Sequence, residues 1–126
     1  METLQVKLRP IDSGWAELHY CLPSQSYEPR RIKLSEIQAL IKEGESSYYV
    51  EKPDLEGFGK KLFRWLNGDG QWLSRAIGAC PPSGLVLAIT AKEGLAKLPW
   101  EVLHDGEQFL VERVTRPLVP VRLIER

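Results

Sequence analysis

The chain has little of what a disulfide-stapled, metal-bound, nucleic-acid-binding or membrane protein would carry. Only two cysteines, Cys21 and Cys80, stand among its 126 residues. They belong to no CxxC pair or Cys/His cluster of metal-ligand spacing, so they are expected as free thiols and no metal site is read from them. An excess of one charge is also missing. The 17 Lys and Arg balance 17 Asp and Glu, the signs are interspersed, and no basic tract could neutralise a row of phosphates, which excludes nucleic acid as a general partner. The longest unbroken apolar run, Leu85 to Ile89, is far too short to cross a bilayer. Glu2 and the polar alternation after it exclude a secretory signal, so the expected compartment is the cytoplasm. No internal repeat and no low-complexity segment occurs. At 126 residues the chain is a little under one typical domain, which rules out a second full one.

What is present suffices for a core. Apolar residues make up 43% of the sequence, and a chain of this size can bury about two-thirds of its unfolded surface. Residues 1–34 read as an antiparallel β-meander. Leu4, Val6 and Leu8 alternate with Gln5, Lys7 and Arg9, and Asp12-Ser13-Gly14 supplies a turn. Ala16, Leu18, Tyr20 and Leu22 alternate again, and Arg31 to Leu34 repeats the pattern after a polar loop bracketed by Pro23 and Pro29.

Residues 35–126 read as an α/β unit in one compact body with that leader. Ser35 and Gln38 have capping-box spacing, and Ile37, Leu40 and Ile41 predict a helix that ends at Gly44. Ser46 to Pro53 stays open between a brief strand and a packed loop. From a cap at Asp54, the positions Leu55, Phe58, Leu62, Phe63 and Leu66 predict the clearest helix, with Gly59 inside it for close approach of a neighbour. Trp72, Leu73, Ala76 and Ile77 predict another short helix. Leu85 to Thr90, apolar throughout, predicts a strand buried on both faces. Pro99 to Leu103 reads as a helix start, with Glu101 at its positive end. Phe109 to Val111 predicts a short strand, and Thr115 to Leu123 an extended one whose prolines, Pro117 and Pro120, imply an edge.

Candidate chemistry is sparse. His19 and Cys21 fall on one face of a strand about 7 Å apart, too far for a base to reach a thiol, and no helix start is there to activate it. His104-Asp105-Gly106 has the composition of a capped polar turn at the surface rather than of a base with its orienting carboxylate. Glu101 suits a helix start better than general acid-base work, and Trp100, beside two leucines and a buried strand, suits the core better than a binding platform. Gly57-x-Gly59 and Gly68-x-Gly70 lack the strand and further residues of a phosphate loop. Composition and spacing therefore point to no cofactor and no catalytic residue.

The string Leu95-Ala96-Lys97-Leu98-Pro99-Trp100-Glu101-Val102-Leu103 after the apolar run at Leu85 to Ile89 resembles the N-terminal half of CHAT domains, caspase-like cysteine peptidases often joined to tetratricopeptide repeats. Gly59 to Leu66 resembles the family's G-x-x-L-[FY]-x-x-L helix, and Phe109-Leu110 with Thr115-Arg116-Pro117 its segment after the P-W-E motif. The resemblance spans nearly the whole chain, with Leu98, Pro99, Trp100, Glu101, Leu103 and Arg116 as matching positions of structural role. It implies a β-hairpin or meander followed by the first part of a caspase-like α/β/α sandwich. It also implies peptide-bond hydrolysis by a Cys and a His that the family carries in later H-x-x-G-H-G-like and S-x-C-like segments, neither of which occurs here.

Two functions are expected from this. The chain is the noncatalytic N-terminal portion of a CHAT peptidase whose remaining half supplies the dyad and whose substrate is a protein; alternatively it is a stand-alone adaptor or regulatory module that binds a protein partner. Terminal Arg126 marks a gene boundary or, alternatively, a processing site for an Arg-directed protease. Either way an apolar sheet edge or face is expected to lie exposed, favouring self-association or an obligate partner.

Overall fold

The computed structural model describes residues 2–23, 25–48 and 54–124. The chain runs through β1 (Glu2–Pro10), β2 (Trp15–Leu22), β3 (Gln25–Ser26), β4 (Arg30–Lys33), α1 (Leu34–Tyr48), α2 (Leu55–Asn67), α3 (Trp72–Ala79), β5 (Leu85–Ala91), α4 (Glu93–Ala96) and β6 (Leu118–Ile124). Asp12 sets the first hairpin: its Oδ1 accepts the N–H groups of Gly14 at 2.9 Å and Trp15 at 3.0 Å, an Asx turn that places Leu8 opposite Leu18 and Val6 opposite Tyr20. β3 and β4 both pair with the outer edge of β2, and the sheet then runs β2-β1-β5-β6. β1 thus lies between its antiparallel hairpin partner and the parallel strand β5, and β6 continues the sheet parallel to β5.

Strand periodicity decides which side of this sheet is dry. Leu4, Val6, Leu18, Tyr20, Leu87 and Ile89 point to one face and join Ile37 and Leu40 of α1, Phe58, Leu62 and Leu66 of α2 and Leu73, Ala76 and Ile77 of α3 in a single core. The opposite face carries the other phase: Thr3, Gln5 and Lys7 on β1, Glu17, His19 and Cys21 on β2, Val86, Ala88 and Thr90 on β5. On β6 that phase is Val119, Val121 and Leu123, exposed by 42%, 40% and 50%. Among the described residues no helix covers this second face. The α/β class holds, with the exposed apolar surface on β6 and with β5 inside the sheet.

α2 is fixed at both ends. Asp54 Oδ1 accepts the Gly57 N–H at 2.9 Å. At the other end Gly68 turns back with φ 61, and the Arg30 guanidinium donates to the Trp65 carbonyl at 2.8 Å and the Leu66 carbonyl at 3.3 Å. A cation on the last carbonyls of a helix meets both their lone pairs and the negative end of its dipole. Arg30 also donates to the Tyr20 hydroxyl at 2.7 Å, while that hydroxyl donates to the Leu66 carbonyl at 2.5 Å. Burial pushes the Tyr20 phenol up to about 12 against the opposing pull of Arg30, so it remains a donor.

Several local expectations are corrected. α1 does not stop at Gly44 but runs to Tyr48, because the missing side chain is needed there: a Cβ at Gly44 would lie 2.4 Å from Leu98 Cδ2 and 3.1 Å from Phe58 Cζ. Ser47 and Tyr48 accordingly belong to α1, while Tyr49 and Val50 lie outside the described residues. Trp100–Val102 forms one 3₁₀ turn rather than an α-helix, and Leu110–Glu112 forms another where a strand was expected. Only Phe109 makes a bridge, to His104. The last strand begins at Leu118, after Arg116 has taken φ 55 and its N–H has bonded the Pro82 carbonyl at 2.9 Å.

Candidate functional site

The segment Leu98 to Leu103 forms a hub where the chain leaves β5 and where β6 ends, the carboxyl end of two parallel strands at which open α/β sheets gather functional residues. Its turn is closed by the Val102 N–H on the Pro99 carbonyl at 3.0 Å and the Leu103 N–H on the Trp100 carbonyl at 3.2 Å. Trp100 is 1% exposed. Its Nε1 donates to the Leu95 carbonyl at 3.1 Å, and its ring lies 6.3 Å from that of Trp65 on α2 at an angle of 37°. Gly59 faces this turn from α2, so close that its own carbonyl accepts the His104 N–H at 3.3 Å. Leu98 and Leu103 complete the buried side.

Glu101 is on the solvent side and does not act as a helix-start charge alone. Its carboxylate pairs with Arg122 of β6, whose Nη2 also donates to the Leu98 carbonyl at 2.9 Å. Alternation along β6 turns Arg122 to the helix-covered face, a signal the sequence held but that pointed to no partner. Arg116, the matching arginine of the motif, is elsewhere: it lies beside Pro82, at the amino ends of β5 and β6.

Hydrogen bonding by Arg122 holds the Glu101 carboxyl below its ordinary value of 4.5, against partial burial. A depressed carboxyl contributes its stability above the unfolded value and loses it as pH falls through the lower folded one. Glu101 is 49% exposed, so solvent screens the pair. Glu101→Gln is therefore expected to cost only about 0.5 kcal/mol near neutrality. The gap between the two proteins in urea unfolding should close as pH falls through the lowered folded value; a gap that widens on acidification would reject the assignment.

The candidate nucleophiles and bases do not meet. Cys21 is exposed on the open face of the sheet, and His19 on the same face has its Nε2 2.8 Å from Glu17 Oε2. Cys80 is buried at the end of α3, where its thiol donates to the Ile77 carbonyl at 3.1 Å and desolvation raises its pKa, the reverse of activation.

His104 is not in a surface turn as expected but 4% exposed, wedged between α2 and Phe109. Its Nδ1 accepts the Gly106 N–H at 3.0 Å, its Nε2 is 3.4 Å from Glu56 Oε1, and Phe109 meets its ring edge-on at 4.9 Å. Nδ1 is thereby the unprotonated nitrogen. Asp105 does not orient this imidazole. Its Oδ1 accepts the N–H groups of Glu107 at 2.8 Å and Gln108 at 3.0 Å. Although burial works against its charge, those two donors and the nearby Arg113 hold it below the usual carboxylate range.

Gly57 donates to the cap of α2, and Gly68 makes room for Arg30, for which a Cβ would lie 2.6 Å from Cζ. Among the described residues no three His, Cys, Asp or Glu side chains converge as a metal site, and no helix is long and apolar enough to cross a membrane. No protein-family profile, no curated protein and no solved structure matches the chain.

Proposed function

We propose that this chain is the noncatalytic N-terminal portion of a CHAT-type, caspase-like cysteine endopeptidase, and that a separate segment bearing the His and the Cys completes it. The observation that carries this reading is the single helical layer. In an α/β/α sandwich both faces of the central sheet are covered, and here the face bearing Val86, Ala88, Val119, Val121 and Leu123 has no helix on it among the described residues. The Leu98 to Leu103 hub supports it too. It ties α2, the exit of β5 and the end of β6 into one rigid corner, which is a scaffold for chemistry supplied from outside rather than a source of it.

A thiol-reactive peptidase probe and a panel of Lys-, Arg- and Asp-directed reporter peptides test the reading. The purified chain should be silent, and mixing it with a His/Cys-bearing CHAT segment should give peptide turnover, with the probe on that segment's cysteine. Labelling of Cys21 or Cys80 with turnover by the isolated chain would overturn the proposal. Silence in both settings would leave the protein-binding adaptor as the better description.

A further inference from the structure

We propose that the open face of the sheet is a docking surface for an acidic amphipathic helix of a partner protein. The helix lies along the seam between β1 and β5, with its aliphatic side over β5 and β6 and its carboxylates over β1, β2 and β4. The chain as a whole is neutral, with 17 cationic and 17 anionic side chains, but strand alternation sorts them. On β1, β2 and β4 the open face carries Lys7, Arg9, Arg31 and Lys33 against a single carboxylate, Glu17. On β5 and β6 it carries Val86, Ala88, Thr90, Val119, Val121 and Leu123, none of them charged. The seam therefore divides a cationic side, gathered toward the carboxyl end of β1, from an apolar one.

Two of these cations are held in place before any ligand arrives. Arg31 Cζ and Lys33 Nζ lie 4.7 and 5.7 Å from the centroid of the Trp15 ring. The aromatic face keeps both long side chains close to the sheet, so less freedom is lost on binding. Glu17, between Arg9 and Arg31 in the register, offsets only one of the four charges. Beyond the end of the sheet, Trp15 and Lys33 also line a cleft of about 320 Å³ that reaches Ser35 and Gln38 at the start of α1, with room for an acidic side chain at the end of the docked helix.

The division of the face selects the occupant. The phosphates of a nucleic acid would match the cations but leave the aliphatic half uncovered, and Trp15 is engaged by Arg31 and Lys33 instead of standing open as a stacking platform. A helix satisfies both halves. It is the element that covers the faces of an α/β sheet, and its diameter of about 10 Å spans two strands set about 4.8 Å apart. Aliphatic residues at helical spacing meet Val86, Val121 and Leu123, and glutamates beside that stripe reach Lys7, Arg9 and Arg31. The contact stands apart from the peptidase reading, because the charges are in place whatever segment supplies the helix.

Fluorescence anisotropy of the full chain with a labelled peptide of about 18 residues, long enough as a helix to follow β1, tests the surface. The peptide carries leucines on one helical stripe and glutamates beside it. It should bind, its lysine-for-glutamate counterpart should not, and added salt should weaken the complex. Arg31→Gln with Lys33→Gln should lower the affinity about tenfold, and Val121→Asp should abolish binding with an unchanged circular dichroism spectrum. Lys42→Gln with Arg64→Gln removes the same charge from exposed positions of α1 and α2 and should change the affinity less than about twofold. No binding of the acidic peptide, equal binding of the lysine peptide, or equal losses in the two double variants would each overturn the proposal. Tighter binding of a single-stranded oligonucleotide or of anionic vesicles, lost in the same Arg31 and Lys33 variant, would overturn it too and assign the face to phosphate. Peptide binding as expected, with no turnover on mixing with a His/Cys-bearing CHAT segment, would support the surface while counting against the proposed function.

Discussion

Gly59→Ala is expected to destabilise the protein by about 3 kcal/mol, at the upper end of what overpacking costs. A methyl group there would lie 1.7 Å from the Val102 carbonyl oxygen and 2.9 Å from its carbon, with His104 Cβ at 3.2 Å. A flexible side chain could swing away, but a carbonyl in a turn closed by two backbone hydrogen bonds cannot. Either α2 retreats from the Leu98–Leu103 hub or the hub opens, and both separate Trp65 from Trp100. Helix propensity alone predicts the opposite sign, because alanine within a helix is favoured over glycine by about 1 kcal/mol. Gly78→Ala is the matched control: a Cβ at Gly78 in α3 meets nothing within 4 Å, so that variant should gain about 0.5–1 kcal/mol. Urea midpoints moving in opposite directions would confirm the contact, and a neutral Gly59→Ala would refute it.

Trp100→Ala should cost about 3–5 kcal/mol, the range for truncating a buried aromatic. That is a large share of the roughly 5–15 kcal/mol that holds a domain folded. Two losses combine: the cavity beneath Trp65, Leu95 and Ile89 that the surrounding walls cannot fully close, and the Leu95 carbonyl left without the indole N–H at 3.1 Å. Trp100→Phe separates them, keeping most of the volume while removing the donor; because the Leu95 carbonyl still accepts the Leu98 N–H at 3.3 Å, it should cost only about 1 kcal/mol, the net worth of one hydrogen bond. Thermal unfolding of the three proteins checks the order. A phenylalanine variant as damaged as the alanine one would place the whole effect in the hydrogen bond.

How far the sequence was legible follows from which forces are local. The alternation of Leu4, Val6 and Leu8 and of Ala16 to Leu22 declared the hairpin, since a period of two has one structural meaning. Asp54 announced the start of α2, because a cap acts within three residues, and a glycine in mid-helix at Gly59 marked a close neighbour without naming it. What could not be read depends on partners distant in the chain. Nothing around Gly44 shows that Leu98 will press against it, so a residue that ordinarily ends a helix is carried inside α1. Nothing near Arg30 shows that it will cap α2, and nothing near Glu101 shows that Arg122 will reach it. His104 has the neighbours of a surface turn and is buried because Phe109 and α2 close over it.

The position of β1 sets the order in which the protein can be made. Glu2 pairs with Leu85 and Lys7 with Thr90, so β1 finds one of its two neighbours only after the intervening chain has been synthesised. On the ribosome the hairpin can close early through its short turn, but β1 then keeps one bare edge and an apolar stripe until β5 arrives. Ladders between such distant segments carry a heavy loop-closure cost and fold slowly. Until β5 has been synthesised, the apolar stripe of β1 and β2 lacks part of its shelter, and a slow or paused β5 lengthens the interval in which it is open to aggregation.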